Sequence, residues 1–369
     1  MVTMKILITV GHPAHVHFYK NFIREVQKRG HEVAVLAEKK EVSIDLLRSY
    51  NLEYTLVSEQ NNRGILRLFD QFSHEFNIYK FAKEFRPDII TGIGGTAAAH
   101  VAKLLRCTSI IFTDSEPAKL ANAITFPFAN VICTPSCYRD QIGEKQIRYN
   151  GYHELAYLHP NWFTPDPTVL TELGLAEGDP FIIVRFVSWQ ASHDVGHHGI
   201  RDKVGLVKTL EQYGRVLITS EGMLPPELRP YQVRISPEKM HDLLYYATLL
   251  VSDSQTMTTE AAVLGTPAVR SNSFVGENDM GNFIDLENNY NLIFNCASES
   301  AGLDAAIKIL NTPGVKDEWA KKREKLLGDK IDVTAFMVWF VENYPRSFAE
   351  MREHPEAQYS FASVMSGVQ

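Results

Sequence analysis

Residues 242–272, DLLYYATLLVSDSQTMTTEAAVLGTPAVRSN, constrain the fold more than any other stretch of the chain. They read as a helix end, a buried strand, a polar turn, a second helix, a Gly-Thr-Pro stop and a second strand. Leu249, Leu250 and Val251 form the apolar run of a strand covered on both faces, as in a parallel sheet. Ser252, Asp253 and Ser254 break that run with residues that cap helices. The next helix covers about residues 255–264; Gly265 ends it and Pro267 enforces the stop. A helix N-terminus at the carboxyl end of a parallel strand is a ready anion site, because unpaired backbone N–H groups and the helix dipole point outward there. Ser254, Gln255 and Thr256 stand at that end. Glu260 lies one turn beyond Thr256 on the same face, a distance at which a carboxylate can accept both hydroxyls of a ribose. Met257, Ala261 and Leu264 form the neighbouring apolar stripe. An ordinary strand–helix unit with an exposed Glu260 has the same spacing.

The same alternation of strands and helices runs along the chain and sets an α/β class. At 369 residues there is room for two domains, each with its own core. A net charge of −7 argues against a nucleic-acid partner, which would call for a basic face. No apolar run approaches the length of a membrane span, and the N-terminal residues run straight into a strand, so neither a transmembrane segment nor a signal peptide is expected. Cys107, Cys133, Cys137 and Cys296 suit a reduced compartment, and their spacing fits neither a redox pair nor a zinc site.

In the first half, KILITV at residues 5–10 is a buried strand, followed by Gly11-His12-Pro13-Ala14-His15-Val16-His17 and a helix over about residues 18–28. Gly30 stops that helix and HEVAVLA forms the next strand. The loop of this βαβ unit sits where open α/β sheets bind ligands. Residues 57–86 are polar, aromatic and helical after Asn62; Arg63, Arg67, Phe69 and Phe72 either line an entrance or cover the sheet. GIGGT at residues 92–96 leads from a strand into a helix of small residues, a weak ligand-cradle signal that close helix packing explains equally well. The strand SIIFT is followed by Asp114-Ser115-Glu116-Pro117. Asp114 and Glu116 fit a paired-carboxylate acid/base mechanism, and capping of a helix by Asp114 or Ser115 fits equally.

By composition, Trp162-Phe163-Thr164-Pro165-Asp166-Pro167 is a linker. A strand at residues 181–186 then leads into a loop with Ser188, Ser192, His193, His197 and His198. Gly196 weakens the helical turn that a two-histidine metal site would need, so the loop is read as a phosphate or substrate contact through Ser188, Ser192 and His193, with Arg185 or Arg201 as counter-charge. AFMVWFVENY at residues 335–344 is a strongly apolar helix, and the tail from His354 is polar and loose.

The segment Asp253-Ser254, Glu260-Ala261 and Leu264-Gly265-x-Pro267 resembles the nucleotide-binding segment of GT-B-fold enzymes. Those include UDP-N-acetylglucosamine 2-epimerase and the lipid-linked peptidoglycan N-acetylglucosaminyltransferase. The resemblance implies that the Ser254 end holds a diphosphate and Glu260 a ribose, with Gln255 and Thr256 where the epimerase has two glycines. The loop at residues 11–17 is similar to the N-terminal loop of the glucosaminyltransferase, which implies that His15 is the general base for an acceptor hydroxyl. Asp114 to Pro117, followed by Ala121-Asn122 and PFANVI at residues 127–132, resembles that enzyme in order and spacing, which turns Asp114 or Glu116 toward an interdomain cleft. Asn150-Gly151-Tyr152 resembles the segment that closes the first domain. By the same likeness Ile235 and Met240 are nucleobase walls, and Asn278, Asp279 and Asn282 lie in a loop that holds donor-sugar hydroxyls.

The resemblance covers nearly the whole chain and implies a GT-B architecture: two Rossmann-like domains facing a cleft. The expected boundaries are an acceptor domain at 1–160, a nucleotide-sugar domain at 161–334, a helix at 335–352 crossing back to the first domain, and a polar tail at 353–369. The implied function is metal-independent transfer of a sugar from a nucleotide donor, UDP-linked, to a glycan or lipid-linked acceptor hydroxyl. No cofactor is expected, since the nucleotide sugar is a substrate. A UDP-sugar epimerase and a non-catalytic nucleotide-sugar-binding protein are the alternatives. The expected location is cytoplasmic, with a peripheral place at the inner face of the membrane left open.

Overall fold

The computed structural model describes residues 3–59, 66–188, 198–277 and 279–362, excepting the side chains at 59 and 66–72. Arg63 and the side chains of Arg67, Phe69 and Phe72 therefore lie outside the described residues. The chain divides into two compact units, residues 1–162 with 330–369, and residues 163–329.

The first unit begins β1 (Lys5–Val10), α1 (Pro13–Lys28), β2 (Glu32–Lys39), α2 (Ser43–Ser49), β3 (Thr55–Glu59), α3 (Leu66–Phe85) and β4 (Ile89–Ile93). It continues through α4 (Thr96–Leu105), β5 (Thr108–Phe112), α5 (Lys119–Thr125), β6 (Val131–Pro135), β7 (Gln146–Tyr149) and α6 (Leu155–Leu158). Its seven strands pair in the order β3-β2-β1-β4-β5-β6-β7, all parallel. Central strands such as Ile6-Leu7-Ile8 and Ile110-Ile111-Phe112 are wholly buried because helices cover both faces of the sheet.

Two sequence expectations change here. The helix expected from residue 18 starts at Pro13: proline fits the first helical position, and the His12 side chain caps it by accepting the Ala14 N–H. His15 and His17 are thus helix residues, not loop residues.

The second unit contains α7 (Thr168–Glu172), β8 (Phe181–Phe186), α8 (Lys203–Leu210), β9 (Arg215–Ser220), α9 (Met240–Tyr246), β10 (Leu249–Ser252) and α10 (Gln255–Leu264). Then come β11 (Ala268–Ser271), α11 (Gly281–Asn288), β12 (Ile293–Cys296), α12 (Glu299–Leu310) and α13 (Val315–Asp329). Five parallel strands pair as β12-β11-β10-β8-β9, which puts β10 at the centre.

The chain then returns to the first unit as α14 (Val333–Glu342) and α15 (Arg346–Glu353). Asp332 caps α14 by accepting the Ala335 N–H, and Thr334 ties the helix to the Ala156 carbonyl at 2.7 Å. The second change is the tail. Residues 355–361 form a 3₁₀ helix, Ala362 bridges to Ile331, and buried Gln358 accepts the Asn150 N–H at 2.6 Å. The Phe361 ring against Trp339 supplies the apolar contact that a composition reading of this segment undervalues. Among the described residues no helix is long and apolar enough to cross a membrane.

Gly265 closes α10 in the left-handed region, at φ +78°, and a Cβ there would lie 2.8 Å from Arg323 Cδ. Backbone and packing object to a side chain together. We expect Gly265→Ala to destabilise the second unit by about 1–2 kcal/mol, read as a shift in its urea midpoint; a change of a few tenths would remove the cap argument.

Candidate functional site

The sequence-predicted anion end is built by β10 and α10. Ser252 Oγ accepts the Ser254 N–H at 2.8 Å, which bends the chain out of the strand, and Ser254 Oγ then caps the helix by accepting the Met257 N–H at 3.4 Å. The N–H groups of Gln255 and Thr256 stand off the helix end, and both residues are half-buried. Glu260 differs from its expected setting. It is 5% exposed, and its Oε1 lies 2.9 Å from Nε2 of buried His241 on α9. The carboxylate expected to take a ribose is therefore held by an imidazole from the neighbouring helix.

Asp253 has a role that the sequence hid behind its capping propensity. Its Oδ1 accepts the Val187 N–H at 2.8 Å and its Oδ2 the Ile200 N–H at 3.4 Å. One buried carboxylate thus fastens both ends of the segment that follows β8. Within that segment Ser192 and His193 lie outside the described residues, while Ser188 is exposed and gives its N–H to Glu221 Oε2 at 3.0 Å. The Arg185 guanidinium is 2.6 Å from Glu221 Oε1, so its charge is matched within the protein.

Asn278 also lies outside the described residues. Asp279 is buried and bonded to Arg270 and to the Met280 N–H. Burial raises the Asp279 pKa, with Arg270 opposing that rise. Arg270 itself is fully buried, its guanidinium lies 3.6 Å over the Phe283 ring, and burial pushes its pKa down to about 10. Asn282 is buried and uses its Oδ1 on the Phe283 N–H. Ile235 and Met240 are half-buried around the start of α9. A cavity of about 280 Å³ under the starts of α8 and α12, lined by Ile200, Leu206, Val251 and Leu303, holds none of the predicted site residues.

In the first unit, His15 is half-buried in the first turn of α1. Its Nδ1 accepts the Gly11 N–H at 3.3 Å, so the neutral ring carries its proton on Nε2. Burial, then the positive fields of His12, Lys40 and His153, hold its pKa well below the usual histidine value. Asp114 follows β5 and is half-buried; Oδ1 accepts the Ser115 hydroxyl at 3.1 Å, and Oδ2 lies 3.3 Å from Nδ1 of His153. Glu116 is 7% exposed and turns inward, accepting the Arg139 N–H at 3.0 Å. His153 was missed in the sequence because it follows a segment read only as a domain closure. Among the described residues no three His, Cys, Asp or Glu side chains converge as a metal-ligand set.

Asp253→Ala should unfasten Val187 and Ile200. Loss of hydrogen bonds to a charged acceptor is expected to cost about 1.5–3 kcal/mol. It should appear as faster amide exchange at those two positions with the β-sheet amides unchanged. Unaltered exchange at Val187 and Ile200 would refute the fastening role.

Comparison with known proteins puts this geometry in context. A protein from Methanocaldococcus jannaschii named uncharacterized protein MJ0665 is 22% identical over 285 residues, covering 73% of this chain and 82% of that protein. Among solved structures, the UDP co-structure of MnaA from S. aureus aligns with a TM-score of 0.66 at 10% identity, covering 94% of this chain and 98% of that one. The UDP-GlcNAc 2-epimerase of Methanocaldococcus jannaschii aligns at 0.58 with 13% identity over 88% and 100% of the two chains. The glycosyltransferase SsfS6 of Streptomyces sp. SF2575 aligns at 0.57 with 13% identity over 92% and 100%. These likenesses establish the GT-B fold, shared by glycosyltransferases and UDP-GlcNAc 2-epimerases. The profile of DUF354, a family of proteins of unknown function, matches residues 4–290, and the chain belongs to that family.

Proposed function

We propose that this protein transfers a sugar from a nucleotide donor, UDP-linked, to a hydroxyl of a glycan or lipid-linked acceptor. The observation that carries the reading is the start of α10. Helix N–H groups, Ser254, Gln255 and Thr256 stand at the carboxyl end of the central strand of the second sheet, as a diphosphate site requires. The likeness to a UDP co-structure and to a glycosyltransferase supports the choice of ligand and reaction. Leaving-group charge on the diphosphate is met by the helix N-terminus, so the reaction needs no metal. Glu260, supported by His241, takes the ribose, and Ile235 and Met240 flank the base. Arg185, Ser188, Ser192 and His193, with Asn278, Asp279 and Asn282, belong to the surroundings of the donor. His15, Asp114 and Glu116 in the first unit are the candidates for proton transfer.

An epimerase acting on the nucleotide sugar itself is the second reading. The Asp114–His153 contact near His15 favours it, because epimerisation needs acids and bases around one sugar carbon. UDP release that requires an acceptor separates transfer from epimerisation, which proceeds without one.

UDP titrated calorimetrically into the wild-type protein should bind, and Glu260→Gln, which keeps the shape and removes the charge, should weaken binding by about 1.5–3 kcal/mol. Equal affinity in a folded variant would remove Glu260 from the nucleotide site. Acceptor-dependent UDP release should also persist in excess chelator. Loss with chelator and recovery with manganese would reassign the segment after β8 to a metal site.

A further inference from the structure

The second sheet has two faces, and side chains alternate between them along each strand. Ser252 and Arg270 are register partners, and Arg270 lies against Phe283 of α11. Val251 and Ser271, each one position away from that pair, point to the opposite face, where α12 packs. There they bound the cavity of about 280 Å³ between the starts of α8 and α12. Both helices present a glycine to it, Gly205 and Gly302. A Cβ at 302 would stand 3.2 Å from the Ser271 Cβ, so no side chain fits there unless Ser271 moves. A Cβ at 205 would overlap the Asp202 carboxylate, which folds over that position to accept the Gly205 N–H at 2.8 Å.

The chemistry of the lining is graded from floor to mouth. Ser271, at the floor, is 4% exposed, and its hydroxyl makes no hydrogen bond among the described residues. A buried hydroxyl without a partner is costly, and the open side of this one is the cavity. The walls, Ile200, Leu206, Val251 and Leu303, are apolar. At the mouth stand exposed Asp202 and half-buried Glu299. Glu299 accepts the Arg201 and Asp202 N–H groups at 2.8 and 3.1 Å, bonds that fix the carboxylate and leave its charge. No lysine, arginine or histidine is among the lining residues, and nearby Lys203 is turned onto the Phe186 ring. Capping of two helix starts explains where the carboxylates stand; it does not explain the unpaired Ser271 hydroxyl.

Two carboxylates repel an anion, so this space does not suit the phosphate that the start of α10 suits. A cation at the mouth gains from both, and an apolar body displaces water from the four aliphatic walls. We propose that the cavity binds a small organic amine. Its ammonium stands at Asp202 and Glu299, its apolar body lies between the two helices, and a hydroxyl at its far end pairs with Ser271. The site lies wholly within the second unit and does not rest on the sugar-transfer reading.

Tyramine has these three parts and serves as the test ligand. Titrated into methyl-labelled protein, it should shift the NMR signals of Leu206, Val251 and Leu303. Phenethylamine lacks the hydroxyl and should bind about three- to tenfold more weakly, the range of one hydrogen bond. The carboxylate analogue, 3-(4-hydroxyphenyl)propionate, should cause no shifts at the same concentrations. Ser271→Ala should bring tyramine to the affinity of phenethylamine and leave phenethylamine itself unchanged. Asp202→Asn keeps the helix cap, removes the charge, and should weaken both amines about two- to fivefold. Saturating UDP should leave the shifts in place; displacement of tyramine by UDP would make the cavity part of the nucleotide site and end the proposal. Silent methyls at these three positions, equal binding of the propionate, or unchanged tyramine affinity in Ser271→Ala each overturns it. A protein that takes tyramine and not UDP loses the sugar-transfer reading and keeps this one.

Discussion

Every strand in both sheets runs parallel to its neighbours, and this constraint shapes the rest of the molecule. Parallel strands need crossover connections, and those connections lay helices on both faces of each sheet. The strand centres must then be apolar, as Leu249 to Val251 and Ile110 to Phe112 are, all buried. Polar chemistry is confined to the carboxyl ends, where strand gives way to helix. Ser252, Asp253 and Ser254 in the second unit and His15 and Asp114 in the first stand at such ends for that reason. A charged side chain within a covered strand, such as Arg270, needs a partner because water is excluded.

Around the central strand of the second sheet, the candidate charges are already matched. Arg185 and Arg270 flank Ser252 in register, one on each neighbouring strand. The first is paired with Glu221 and the second with Asp279. Glu260 is likewise held by His241. A buried ion without a partner would cost several kcal/mol, so Arg270 in particular requires Asp279 beside it. The consequence is that backbone dipoles, more than these two arginines, are what the start of α10 can offer an anion. Preorganised N–H groups need no reorganisation when charge appears, which is the property a leaving diphosphate calls for.

The sequence was legible where the pattern is local. β1, β8 and α10 fall where apolar runs and caps place them, and Gly265 stops α10 through a left-handed backbone that a Gly before Thr-Pro announces. What escaped was decided by contacts distant in sequence. Asp253 looked like a capping residue, yet its oxygens hold Val187 and Ile200, more than fifty positions away. Nothing in the helix that carries Glu260 announces its partner His241. The tail looked loose by composition, yet the Phe361 ring against Trp339 and Phe336, the Ala362 bridge to Ile331 and Gln358 pin it. A chain's own neighbourhood reports propensity; burial and pairing are properties of the assembled sheet.

The candidate proton carriers proposed for the first unit illustrate the limit most sharply. Residue type alone favours His15, since an imidazole titrates near neutrality and a carboxylate does not. The structure adds the surroundings that residue type leaves out. The Gly11 N–H occupies the lone pair that His15 would use as a base, and burial keeps the ring from accepting a charge. The sheet order sets β1 next to β4 and β4 next to β5, so the segment carrying His15 and the one carrying Asp114 emerge from the same stretch of sheet edge. The chain leaving β7 then brings His153 to Asp114, with its ring against Phe18 of α1. His15 Nδ1 faces a backbone N–H and His153 Nδ1 stands near a carboxylate, and no motif spells that out.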